Sequence, residues 1–343
     1  MKITKATPQT VAQKWAEVNF REKISQQHLG QKVHFRDELN HQEMLIELRK
    51  RIKNTQKDFE LLVSLAVNFS PFLEIGAEYC VRAALLQQRS SQRGFALDIS
   101  AAPLQSAPQF IKQLGFSRLP TRICADAYHL PFANNSFSFV FCYQTLHHFP
   151  NPSPIISEIH RVLAPGGYFF FAEEPIEQQL NLKLFRRPTK TQGWYKFLKY
   201  FLILPFISEI GKTEVNYGIL ENSFSIHIWE EALTKFKKIE ATISPAFVSI
   251  PKTFTKNQHT YFIKPTFIQT ILISFLGGGL RVVAQKAGQS KKVHVLLVCP
   301  QCQGKLTRVQ NTYYCHKQHL YKRVNGVLFC LPYKLKQELY PHI

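Results

Sequence analysis

Between Pro71 and Pro175 apolar runs alternate with spacers of helical length, and this alternation constrains the chain more than any other feature of its 343 residues. Phe72-Leu73-Glu74-Ile75-Gly76 reads as a strand entering a turn, and Gly94-Phe95-Ala96-Leu97-Asp98 as a second strand ending on an acid. Cys124-Ala125-Asp126-Ala127, the run Phe137 to Cys142, and Leu163-Ala164-Pro165-Gly166-Gly167 leading into Tyr168-Phe169-Phe170-Phe171 continue the series. Two spacers carry helix patterns: Leu104 to Leu114, stopped by Gly115, and Ser153 to Leu163, with Ser153 as N-cap before Pro154. Ile155, Ile156, Ile159, Val162 and Leu163 suit a helix packed on a sheet. Strands that alternate with helices imply βαβ units and a parallel sheet, which binds small ligands beyond the carboxyl ends of its strands. Several acids of this stretch stand at those ends.

The same residues resemble a known family. Glu74-Ile75-Gly76, Asp98, Asp126-Ala127-Tyr128-His129-Leu130-Pro131-Phe132, Leu146-His147-His148 and Leu163 to Gly167 follow, in order, five motifs of the class I S-adenosylmethionine-dependent methyltransferases that act on small molecules. The resemblance implies an α/β fold: a Rossmann-like, seven-stranded methyltransferase sheet with helices on both faces. It also implies S-adenosylmethionine as cofactor. Asp98 would bind the ribose hydroxyls and Asp126, with Ala127 beside it, the adenine amino group. Glu74 and Gly76 would shape the methionine end, and Tyr143 would follow the fourth strand into the pocket. His147, His148 and Glu174 are the candidate catalytic residues, one histidine as general base and Glu174 orienting an acceptor hydroxyl. Each has a plainer alternative, the histidines in packing and Glu174 in capping the next element.

Glu78 and Cys80 depart from the pattern, because they stand where the family has glycine. Glycine serves there by admitting positive φ and a close ligand. Three outcomes stay open: Glu78 pairs with the cofactor, points to solvent, or weakens cofactor binding.

Charge separates this core from its surroundings. The chain carries +20 at pH 7, yet residues 71–175 hold 7 basic and 7 acidic residues, whereas 288–343 hold 9 and 1. A basic periphery attracts phosphate groups, so RNA and peripheral membrane contact stand beside a small-molecule or lipid-like acceptor as partners. Solvated lysines explain the charge equally well. Met1-Lys2-Ile3-Thr4-Lys5 has no apolar run behind its charge, so no export signal is expected. An odd count of seven cysteines speaks for a reducing compartment, the cytoplasm.

The chain divides into an N-terminal helical segment (1–65), a core with insertions at about 176–222 and 251–276 (66–287), and a tail (288–343). In the first, Met44, Leu45, Leu48 and Ile52 share a helix face. In the core, Glu221 to Phe236 reads as a helix, Ile239 to Val248 as the sixth strand and Leu280 to Ala284 as the seventh. Both insertions are aromatic and would emerge on the cofactor rim. Charges interrupt each of them, so no transmembrane helix is expected; a lid for an apolar acceptor and ordinary buried helices both fit.

The tail carries Cys299-Pro300-Gln301-Cys302, then Cys315 and His319, which is zinc-ligand spacing for a closed, structural Zn2+ site in a small C-terminal zinc ribbon. His316 is a rival to His319. The segment resembles the ribbon of bacterial rRNA guanine-N1 methyltransferases, which keeps RNA methylation as an alternative to a small acceptor. A third alternative is a non-catalytic binding protein that has lost its cofactor turn.

Overall fold

The structure, a computed structural model, describes residues 8–35, 38–90, 94–177, 213–245, 250–254, 267–268, 271, 278–290 and 292–343. Most of both proposed insertions therefore lies outside the described residues.

Five parallel strands form the centre: β1 (Phe72–Ile75), β2 (Phe95–Asp98), β3 (Thr121–Cys124), β4 (Phe137–Tyr143) and β5 (Leu163–Pro175). Every residue of β1 and β4 is buried, as continuous apolar runs in a sheet covered on both faces must be. The chain then adds β6 (Lys238–Pro245), β7 (Ile250–Phe254) and β8 (Gly278–Gln285), with β8 antiparallel between β5 and β6. The tail supplies β9 (Thr307–Val309), β10 (Thr312–Tyr314), β11 (Leu320–Val324) and β12 (Val327–Phe329).

All of these belong to one 12-stranded mixed sheet in the order β7-β6-β8-β5-β4-β1-β2-β3-β12-β11-β10-β9. Its parallel centre runs β3-β2-β1-β4-β5, but the expected seven-stranded sheet is corrected on two counts. β7 pairs with β6 at one end. At the other, β12 pairs in parallel with β3, matching Val327, Leu328 and Phe329 to Arg122, Ile123 and Cys124. Strand β3 would otherwise leave a row of backbone groups unpaired, and β12 satisfies them. No local pattern in Val327-Leu328-Phe329 announces a partner two hundred residues earlier.

The eight helices described are α1 (Val11–His28), α2 (His41–Ser64), α3 (Val81–Arg89), α4 (Ala101–Gln113), α5 (Ser153–Val162), α6 (Thr213–Asn216), α7 (Ile226–Ala232) and α8 (Tyr333–Leu339). Both α1 and α2 open on a capping box, Thr10 with Gln13 and Asn40 with Glu43. On α2, Met44, Leu45 and Leu48 are buried as their spacing predicts. Helix α5 starts one residue early: Pro152 is the cap, and the Ser153 amide donates to the side chain of Asn151 at 2.8 Å. Helix α4 starts at Ala101 and runs through Pro108. Proline has no N–H for the carbonyl four residues back, and Arg122 Nη1 donates to that Leu104 oxygen at 2.7 Å instead. Helix α7 is shorter than the span Glu221 to Phe236 suggested, because its first turn begins only after Ser225.

Two apolar clusters cover the faces of the sheet. One runs from Leu73 and Val140 through Trp229 to Cys299, Tyr313, Cys315 and Cys330, so the tail and the central strands share one core. No helix among the described residues is long and apolar enough to cross a membrane.

Candidate functional site

The turn after β1 forms one wall of a cavity of about 540 Å³ beyond the carboxyl ends of the central strands. Gly76 takes φ +69, and a Cβ there would strike Thr145 at 2.2 Å, so only glycine fits. Glu78 and Cys80 accept the left-handed conformation that glycine would have filled, with φ 45 and 58. Their backbone remains useful: the Glu78 amide donates to Asp98 Oδ2 at 2.9 Å, and the Ser100 amide to Oδ1 at 2.9 Å. Burial still outweighs these two bonds and pushes the Asp98 carboxyl up to about 6.

Glu78 neither points to solvent nor faces the cavity uncompensated. Its carboxylate pairs with Arg51 of α2 at 2.5 Å. Burial alone would raise its pKa, but Arg51 and then Arg21 hold it below the ordinary carboxylate range. The negative charge that replaced glycine is thus answered by a cation from the N-terminal helices.

Helix α1 lies over the cavity. Lys14 is ion-paired with Asp126 Oδ2 at 2.5 Å and sits 4.9 Å from the Tyr128 ring centre. Gln9 donates its amide to the Tyr128 hydroxyl at 3.0 Å and its side chain to the His148 carbonyl at 3.3 Å. Arg21 joins Glu17 at 2.7 Å and Glu214 of α6 at 3.2 Å. Sequence reasoning missed Lys14, Glu17, Arg21 and Arg51, because charges along a surface-type helix read as solvated. The i,i+4 pair Glu17/Arg21 was the one visible sign.

The same cavity is lined by His147 and His148, their ring centres 4.3 Å apart, and by Glu221. His147 Nε2 is 3.8 Å and His148 Nδ1 3.7 Å from the Glu221 carboxylate. Glu174 lies behind them, wholly buried. Its Oε1 accepts the amides of Thr145 at 2.8 Å and Leu146 at 3.0 Å; its Oε2 accepts the His147 amide at 3.0 Å and His147 Nδ1 at 2.8 Å. Burial would raise the Glu174 pKa, yet His147 and these amides hold it low. The same carboxylate raises His147 against its own burial.

Gly76, Asp98, Asp126, Ala127, Tyr143, His147 and His148 therefore line one cavity. Glu74 and Glu174 are not among its lining residues. Glu74 turns inward and accepts the Ala83 amide at 2.9 Å, and burial, opposed by Arg82, pushes it up to about 8. Glu174 cannot orient an acceptor, because its oxygens are engaged with the 3-10 turn Leu146–His148 and its flank. On β5 it is Glu173, at φ 64 and 3.7 Å from Arg82, that reaches the cavity. Tyr143 lines the wall with its ring under the Arg82 guanidinium at 4.2 Å and its hydroxyl on Asp58 at 3.1 Å. Glu174→Ala should lower unfolding free energy in urea by about 3–5 kcal/mol, since it strands a buried charge partner and three amides. A loss below about 1 kcal/mol would show that the network is not holding the turn.

In the tail, Cys299, Cys302, Cys315 and His319 bring their four ligand atoms within 4.8 Å of one another, with Cys299 Sγ 3.2 Å from His319 Nδ1 and Cys302 Sγ 3.5 Å from Cys315 Sγ. Bonds of about 2.1–2.3 Å at tetrahedral angles require spacings of this size. His316 is exposed and outside the cluster. Its ring instead packs on Gly304, where a Cβ would come within 2.5 Å of it.

Residues 73–171 match the family model described as a methyltransferase domain. The biotin biosynthesis bifunctional protein BioHC of Teredinibacter turnerae is 32% identical over 36% of this chain and 23% of its own length. The demethylmenaquinone methyltransferase of Anoxybacillus flavithermus is 30% identical over 38% of this chain and 50% of its own. The chain thus spans half or less of the length of these curated relatives. A solved Bacillus halodurans structure assigned to the methyltransferases covers 68% of this chain and all of its own at 18% identity, with a TM-score of 0.42. Residues 73–171 of this chain thus carry a methyltransferase domain.

Proposed function

We propose that this protein transfers a methyl group from S-adenosylmethionine to a small, apolar or lipid-like acceptor, and that its tail is a structural zinc ribbon. The observation that carries the first part is a single cavity lined both by the carboxylates Asp98 and Asp126 and by the His147–His148–Glu221 group. S-adenosylmethionine, when bound, supplies an electrophilic methyl group. The protein's task is then to hold the nucleophile in line and exclude water.

Asp98 keeps lone pairs beyond the two that its amides use, and a carboxylate can accept two ribose hydroxyls. Asp126 keeps Oδ1 on the Tyr128 amide at 3.1 Å and shares Oδ2 with Lys14, which leaves capacity for an amino group. Arg51 cancels the charge of Glu78 and removes the objection that the altered turn raises. His147, locked by Glu174, presents Nε2 as the nitrogen that can accept a proton from an acceptor. Support for a lipid-like acceptor comes from the quinone named for the Anoxybacillus relative. The ribbon reading rests on the fit of four soft ligands to one tetrahedral ion.

Transfer of labelled methyl from S-adenosylmethionine to a demethylated quinol in detergent, and in parallel to ribosomal RNA, tests the acceptor. Label in the quinol with little salt dependence is expected. Label in RNA that disappears steeply with salt would overturn the small-acceptor reading.

A further inference from the structure

We propose that His147, His148 and Glu221 form a divalent-metal site in the cavity, fitted to hold the phenolic or enolic oxygen of the acceptor. The role of the acceptor rests on the methyl-transfer reading above; the metal site does not.

One ligand atom from each of the three residues lies within 4.8 Å of the others. The tautomers are fixed by their partners. His148 Nδ1 lies 3.7 Å from Glu221 but only 2.9 Å from the Leu220 carbonyl, which can only accept, so in the neutral ring Nδ1 carries the proton and Nε2 is the nitrogen left to ligate. His147 Nδ1 is 2.8 Å from Glu174 Oε2, and Glu174 already accepts three amides, so it too is the acceptor. The lone pair of His147 is therefore on Nε2, the nitrogen 3.8 Å from Glu221. A ring whose far nitrogen is held by a carboxylate or a carbonyl is how metal-ligating histidines are oriented.

Two histidines and one carboxylate on one side of an ion leave the remaining positions for oxygen ligands. Glu214, hydrogen-bonded to Glu221, adds negative charge beside them. All four side chains line the cavity. An oxygen bound there would sit against a cation, which favours its deprotonated, nucleophilic form. In that case the histidines act as ligands, and no side-chain base is required.

The test uses the full-length protein with its ribbon loaded with zinc, and Co2+ as the probe. Calorimetry should show one Co2+ bound per chain, and the visible spectrum should lack the intense thiolate bands that the cysteine cluster would give. Glu221→Gln and His148→Ala should each weaken that binding at least tenfold while thermal melting, followed by circular dichroism, stays cooperative. Absence of nitrogen/oxygen-type Co2+ binding, or unchanged binding in both variants, overturns the proposal. Binding of S-adenosylmethionine is measured on the same samples. Cofactor binding without Co2+ removes the metal site and keeps the methyltransferase; Co2+ binding without cofactor supports the site and removes its methyl-transfer role.

Discussion

Asp98→Ala should abolish measurable binding of S-adenosylmethionine and of its demethylated product. Asp98 sits where two elements meet, with one oxygen on the Glu78 amide of the altered turn and the other on the Ser100 amide. Alanine removes both oxygens that we propose accept the ribose hydroxyls. Two charge-assisted bonds at about 1.5 kcal/mol each or more predict a loss of roughly 100-fold or greater. The variant also frees the Glu78 amide, so the turn loses one of its ties to β2 and keeps the Ala77 amide on the Leu97 oxygen. Asp98→Asn keeps the shape and one acceptor and should lie between. Calorimetric titration of the three proteins decides it: equal affinity in wild type and Asp98→Ala would remove Asp98 from the cofactor site.

The pH dependence of this group has a definite sign. Burial raises Asp98 to about 6, above its unfolded value of 3.8. Between those values the folded state holds the proton and the unfolded state does not, so this group's contribution to stability grows as pH falls through 6 and is lost as pH rises through it. Ribose hydroxyls need the ionised form. Affinity should therefore fall below pH 6 while the melting temperature of the free protein gains from the same residue.

Removal of zinc should damage far more than the tail. Cys299 and Cys315 belong to the same apolar cluster as Leu73, Val140 and Trp229, and β12 is the neighbour of β3. Zinc in small ribbons binds with about 10–16 kcal/mol of apparent free energy, and most of that is folding free energy. Loss of even a third of it would lower the melting temperature by about 5–7 °C in a chain of 343 residues. Cys302→Ser and chelation by a strong ligand should give the same drop in differential scanning calorimetry, with one zinc per chain by elemental analysis in the wild type. A melting temperature that neither treatment moves would refute a structural zinc. The site around Asp126 should suffer too, because Ala125 and Asp126 follow directly on β3.

Much of the central fold was legible because its strands are buried on both faces and so read as unbroken apolar runs. Asp98 and Asp126 stand at or just beyond the ends of such runs, whereas His147, like the roles expected of all three, came from the resemblance to family motifs. Glu174 misled: a strand-end acid looks like a rim residue, and alternation alone does not decide whether it or Glu173 faces the cavity. The left-handed backbone at Glu173 reverses the usual alternation there. Glu221 and Arg51 could not be read at all. Each acquires meaning only from a partner far away in sequence, Glu221 beside His147 and Arg51 beside Glu78. The sheet exceeded the expected strand count for a related reason, since the pairing of β12 with β3 depends on an open edge that no local pattern records.

That pairing also sets an order of events in synthesis. Residues 122–124 leave the ribosome some two hundred residues before 327–329, and contacts so distant in sequence form late. Until then β3 is an open parallel edge, and the loop carrying Asp126 leaves a strand that is paired on one side only. A nascent chain can therefore complete most of its sheet and still lack a finished edge beside the cavity that Asp126 lines. Translation that stops short of β12 would leave an aggregation-prone intermediate, with no competent enzyme to act on scarce cofactor.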